Sequence, residues 1–183
     1  MSVSVPAARS PAGTVDDPAS AAMRILVAGV GYDHLRDMSA GPILVQELRG
    51  VRWPPGVDVE DLSAGAVHVT HVLQSREPYQ GAVLIGAVQR GDPPGTVRVS
   101  RFVRGAATPE EVQVRVTEAV TGVVSLDTLL TVLDHFGALP DDVRVIEVEP
   151  RDTAWGDELS PLVRHALADA TVAVRSAVAE LGR

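Results

Sequence analysis

Arg24-Ile25-Leu26-Val27-Ala28-Gly29-Val30-Gly31 is the stretch on which the fold turns. Its run from Ile25 to Val30 is apolar without polar alternation, which suits a strand buried on both faces, as in parallel sheets covered by helices on each side. A Gly-rich turn follows, and helical spacing runs from about Ser39 to Arg49. Ser39 is placed to cap that helix, and Pro42 falls in its first turn, where the missing N–H breaks no helical bond. Working outward, Val57 to Leu62 reads as a second strand leading into a helix over Ala66 to Gln74. Ala82 to Val88 reads as a third strand with the continuous apolarity of a central position. Asp92-Pro93-Pro94-Gly95 is a turn, and Thr96 to Val103 alternates with period two, as an edge strand does. Residues 105–122 carry no deciding pattern. Ser125 caps a helix with Leu126, Leu129, Leu130 and Leu133 on one face, ended by Gly137 with Pro140 beyond, and Val143 to Val148 forms a further strand. Ser160 and Pro161 open a last helix that Gly182 closes. Its stripe of Val163, Leu167, Ala170, Val174, Ala177 and Leu181 is too short, and too poor in flanking charge pairs, for a coiled-coil seam, so it is expected to pack on the sheet. Strands alternating with helices predict a three-layer α/β/α fold around a twisted, mostly parallel sheet, with ligands at the carboxyl ends of the strands.

The composition narrows the chemistry. The chain has 183 residues, 45% of them hydrophobic, and a formal charge of −8, so it offers no basic face for nucleic acid or an anionic membrane. It contains no Cys and no Lys, which removes disulfides, thiolate nucleophiles, Cys-ligated metals, Schiff bases and lysine-dependent phosphate loops. Residues 1–22, rich in Ser, Pro, Ala and Gly, read as a disordered leader without the basic start and apolar run of an export signal. The expectation is one domain over residues 23–183, cytoplasmic, with a monomer favoured.

Gly29-Val30-Gly31 after the first strand invites a dinucleotide-binding reading, but the third glycine of that fingerprint is replaced by His34. A tight strand-exit turn is the alternative. Taken with Leu35, Asp37 and Gly41, residues 24–31 resemble the opening of the nickel–iron hydrogenase maturation protease family, which reads I-L-V-L-G-I-G-N followed by L-x-x-D-(D/E)-G-x-G. The likeness continues in family order. Asp92-Pro93-Pro94-Gly95-Thr96 resembles its G-G-P-P-G-T turn, Ser125-Leu126-Asp127 with Leu129-Leu130 resembles the helix after its histidine, and Glu149-Pro150 with Leu159-Ser160-Pro161-Leu162-Val163 resembles its ending. The resemblance implies the family's α/β fold and a cytoplasmic endopeptidase acting on the C-terminal tail of the hydrogenase large subunit. It implies no cofactor of the protein's own, since the nickel that is recognised belongs to the substrate.

Three positions carry that recognition in the family, and here they fall on Met38, Gly86 and Gly122. Two glycines offer no donor, and a thioether suits soft cations rather than Ni²⁺. The usual Asn after the second glycine is Tyr32. Gly29, Gly31, Asp37, Met38, Ser63, Gly86 and Gly122 are expected to line a substrate cleft, roomier and more apolar for the lost side chains. Asp33, His34 and Asp37, which share the first loop, are the candidates for surviving catalysis. No metal site is expected; His68 and His71, at i and i+3 on the second helix, form the alternative ligand pair. Two readings stand: a maturation protease with substituted residues, or a catalytically silent relative that docks a hydrogenase subunit or another assembly partner.

Overall fold

A computed structural model describes residues 23–183; the expected leader over 1–22 lies outside the described residues. Five strands form one sheet in the order β2-β1-β3-β5-β4. The strands are β1 (Ile25–Val30), β2 (Val57–Asp61), β3 (Gly81–Ala87), β4 (Val97–Arg101) and β5 (Asp142–Val148). All pair in parallel except β4, which runs antiparallel along the outer side of β5. The helices are α1 (Ala40–Leu48), α2 (Ala66–Gln74), α3 (Pro109–Val120), α4 (Leu126–His135) and α5 (Pro161–Leu181).

Side-chain alternation along the central strands builds two cores. Ile25, Val27, Val83, Ile85 and Ile146 point to one face and pack with Leu44, Val45 and Leu48 of α1 and with the α5 stripe of Val163, Leu167, Val174 and Leu181. Leu26, Ala28, Leu84 and Val145 point to the other and meet Val69 of α2 and Leu126, Leu129 and Leu133 of α4. The α5 stripe is therefore sheet-facing, as its spacing required.

The differences from the expected elements have local causes. A short 3-10 turn over Arg36–Ser39 precedes α1, and Ser39 does not cap that helix. Its hydroxyl donates instead to the Tyr32 carbonyl at 2.5 Å. Residues 105–122 contain α3, whose N-terminus is closed by a reciprocal capping box between Thr108 and Glu111 with Pro109 in the first turn. No residue of α3 is fully buried; Val112, Val116 and Ala119 form a short half-buried stripe, and the helix packs chiefly on α4 as an outer layer. Ser125 and Ser160 do cap α4 and α5, accepting from the amides of Thr128 and Val163.

Candidate functional site at the carboxyl end of the sheet

The strand ends where the resemblance places a substrate cleft are occupied first by α1. A Cβ on Gly29 would run into the Gly41 carbonyl, and one on Gly31 would meet the Met38 carbonyl and the Pro42 ring, the latter at 2.9 Å. These glycines exist because backbone lies against backbone, not to cradle a phosphate. Ser63, at the exit of β2, accepts the Gly31 amide at 3.2 Å and so fixes the turn from the other side.

Asp37 is fully buried. Its Oδ2 accepts the amides of Arg151 and Asp152, each at 2.9 Å, and the Ser160 hydroxyl at 2.8 Å, while Oδ1 accepts the Ser160 amide at 2.6 Å. Burial alone raises the proton affinity of this carboxyl, yet the four donors hold it below its ordinary value. Asp37 is thus an anchor that ties the β1–α1 connection to the start of α5.

The loop before Asp37 is clamped in the same direction. The Gly156 amide donates to the His34 carbonyl at 2.8 Å, and the Arg36 amide donates to the Gly156 carbonyl at 2.9 Å. His34 and Arg36 both sit at positive φ, 61° and 42°, an unfavourable conformation for residues with a Cβ that these contacts hold in place. The His34 ring lies 2.5 Å from an Asp157 carboxylate oxygen, and that hydrogen bond and charge raise the imidazole above its ordinary value. Asp33, His34 and Asp37 do not converge. Asp33 and His34 face solvent, Asp37 is sealed inside, and no hydrogen bond joins any two of them among the described residues.

The three positions to which the resemblance assigns nickel recognition differ in their surroundings. Met38 is half-buried against the core on the α1 and α5 side, and its carbonyl accepts the Tyr32 amide at 3.2 Å. Gly86 is buried between Val30 and Glu147 of the neighbouring strands, and a Cβ on it would lie 3.1 Å from both the Leu126 Cβ and the Val30 carbonyl oxygen. Gly122 ends α3 at φ 87° with open space around it. Tyr32 spans the region, its hydroxyl accepting the Val124 amide at 3.0 Å.

The expected roomy cleft is therefore corrected. Gly29, Gly31, Asp37 and Gly86 are buried, because α1 and Leu126 close over the strand ends; Met38 and Ser63 are half-buried, and Gly122 is exposed. His68 and His71 are exposed on α2, and among the described residues no group of three or more His, Asp or Glu could hold a metal ion.

One cluster escaped the sequence. The Arg90 guanidinium donates to Glu147 at 2.5 Å and to both oxygens of Asp127 at 2.7 and 3.1 Å, and Glu149 accepts the Arg90 amide at 2.8 Å. Its hydrogen bonds to Glu147 and Asp127 bind the Arg90 proton more tightly than usual. Every nitrogen of the guanidinium is engaged, so the cluster staples the exit of β3 to β5 and α4. The partners stand 37 to 59 residues apart, beyond any local signal except the Glu149-Pro150 step.

No family model and no curated protein matches the chain. Among solved structures, a hydrogenase 2 maturation peptidase from a Thaumarchaeota archaeon is similar at 30% identity over 85% of this chain and 98% of its own, with a TM-score of 0.61. The chain belongs to the hydrogenase maturation protease family. The hydrogenase maturating endopeptidase HybD from E. coli is similar at 25% identity over 86% of this chain and 93% of its own, with a TM-score of 0.64. A maturation protease, HycI, from Thermococcus kodakarensis shares the fold at 16% identity over 87% of this chain and 94% of its own, with a TM-score of 0.58. The family fold is thus kept over most of the chain.

Proposed function

We propose that this protein acts on the large subunit of a nickel–iron hydrogenase during assembly in the cytoplasm, binding it or its C-terminal tail at the carboxyl end of the sheet without nickel-dependent cleavage. The membership of the chain in a family of hydrogenase maturation proteases supports the partner. Gly86 supports the reading without nickel-dependent cleavage: it supplies no donor, and a Cβ there would press on Leu126 and on the Val30 carbonyl at 3.1 Å. Met38 offers a thioether in place of a hard donor, and Gly122 offers nothing. Tyr32, Met38, Ser63 and Gly122 present a surface of mixed polarity suited to a peptide rather than to an ion. No helix of the described residues is long and apolar enough to cross a membrane.

The test is to mix the purified chain with an unprocessed, nickel-loaded large subunit, follow co-elution on a sizing column, and weigh the large subunit afterwards. A complex with the large subunit at unchanged mass is expected. Release of the C-terminal tail would overturn the silent reading, and failure to co-elute would overturn the partner.

A further inference from the structure

We infer that the free edge of β4 is a self-pairing surface, joining two copies of this chain about a two-fold axis through Val99 into one continuous sheet. The phase of the strand is fixed at both ends. The Glu149 amide donates to the Thr96 carbonyl, and the Phe102 amide donates to the Val143 carbonyl, each at 2.9 Å. In an antiparallel ladder such pairs recur at every second residue, so Arg98 and Ser100 also turn their backbone groups inward to β5. Val97, Val99 and Arg101 then turn theirs outward, where the sheet ends.

That phase is self-complementary. Pairing Val99 with its two-fold mate satisfies the outward groups of both, and the same register sets Val97 opposite Arg101 and Arg98 opposite Ser100 of the second copy. No two like charges face each other directly. No proline interrupts the strand, and Val99 leaves 51% of its surface exposed, so the edge carries only arginines as protection against pairing.

The side chains of the odd positions supply a second, independent match. Val97 packs into the core on the α5 side, so Val99 and Arg101 project towards that same side. A cavity of about 430 Å³ lies there between β4 and α5, lined by Val99, Arg101, Ala173, Ser176 and Glu180 among others. Helical spacing runs from Ala173 one turn back to Asp169, which is exposed and has no ion-pair partner among the described residues. Arg101 is 65% exposed and meets Asp142 only through Nε at 3.3 Å, which leaves its terminal nitrogens free. In the two-fold register Arg101 of one copy lies at the Val97 end of the other, the end towards the start of α5 and Asp169, since Gly95 lies against Leu162 while Arg144, opposite Arg101, pairs with Glu180. Each copy thus offers the other one cation and one anion. Val172, 68% exposed beside Asp169, adds apolar surface on the same side.

Analytical ultracentrifugation of the full chain over a concentration series tests the surface. Wild type is expected to be mostly dimeric at about 100 µM, the range in which a weak but specific pair declares itself. Val99→Pro removes an outward N–H that the β4–β5 ladder does not use, so the fold should persist, as checked by circular dichroism, while the dimer dissociation constant rises at least about tenfold. Should that variant fail to fold, Arg101→Glu gives the same reading: it should weaken the dimer about tenfold, and adding Asp169→Arg should restore it. A chain that stays monomeric at that concentration leaves the edge to some other strand and overturns self-pairing. So does a dimer whose constant is indifferent to both substitutions.

Discussion

Asp37 is a buried carboxylate whose role in the structure is to anchor backbone. Its carboxylate meets four donors contributed by Arg151, Asp152 and Ser160, residues more than a hundred positions away. Hydrogen bonds to a buried charge contribute more than neutral ones, and an unmatched group left behind costs its full desolvation. Asp37→Asn should therefore lower stability near neutral pH by roughly 3 kcal/mol, or about 6–12 °C in thermal midpoint for a domain of this size. The sign with pH follows from the depressed value. The stabilisation is complete above the ordinary carboxylate range and is lost as pH falls through the lower folded-state value, so the two proteins should converge in midpoint on acidification. Thermal melts at several pH values decide it, and a gap that persists undiminished in acid would show that shape rather than charge matters. Nothing in the sequence near Asp37 announces this role, because its partners are distant and mostly backbone. The helix caps Ser125 and Ser160 were legible for the opposite reason: a cap acts on an amide three residues away.

At the scale of elements, the packing of α4 on β3 decides what the carboxyl end can do. Leu126 opens α4 directly over Gly86, and its side chain lies within 3.1 to 3.3 Å of where a Cβ on Gly86 would stand, so a substituent there must push it aside. Gly86→Ala should cost about 1–3 kcal/mol through overpacking, even though replacing glycine in a strand ordinarily helps, and a denaturant midpoint measures it. An unchanged midpoint would mean that the contact yields and that the site could readmit a side chain. The strands and helices themselves were legible wherever one face is buried, since burial imposes the period of two or 3.6 that the sequence displays. α3 was not, because its one apolar face, Val112, Val116 and Ala119, is short and only half-buried; the capping box of Thr108 and Glu111 with Pro109 was its clearer signal. The cleft failed for a third reason. Sequence shows a glycine at position 86 but not that Leu126, forty residues on, packs over it.

For the molecule as a whole, we propose that the family fold is kept without its nickel chemistry. One apolar run, Ile25 to Val30, paired on both sides by β2 and β3, builds the centre of the family's sheet, while the proposal rests on Met38, Gly86 and Gly122, a thioether and two glycines, standing where the resemblance assigns nickel recognition. The surviving acidic and imidazole groups at that end are engaged elsewhere: Asp37 with the start of α5, His34 with Asp157, Glu147 and Asp127 with Arg90. An open site with at least three converging donors is what a divalent ion of this type requires. The most direct measurement is a calorimetric titration of the full chain with Ni²⁺ at neutral pH. The account predicts only weak, non-stoichiometric heats from scattered surface groups such as His68 and His71. Saturable one-to-one binding below about 1 µM that disappears in His34→Ala or His68→Ala would contradict it, since affinity of that order needs several preorganised ligands.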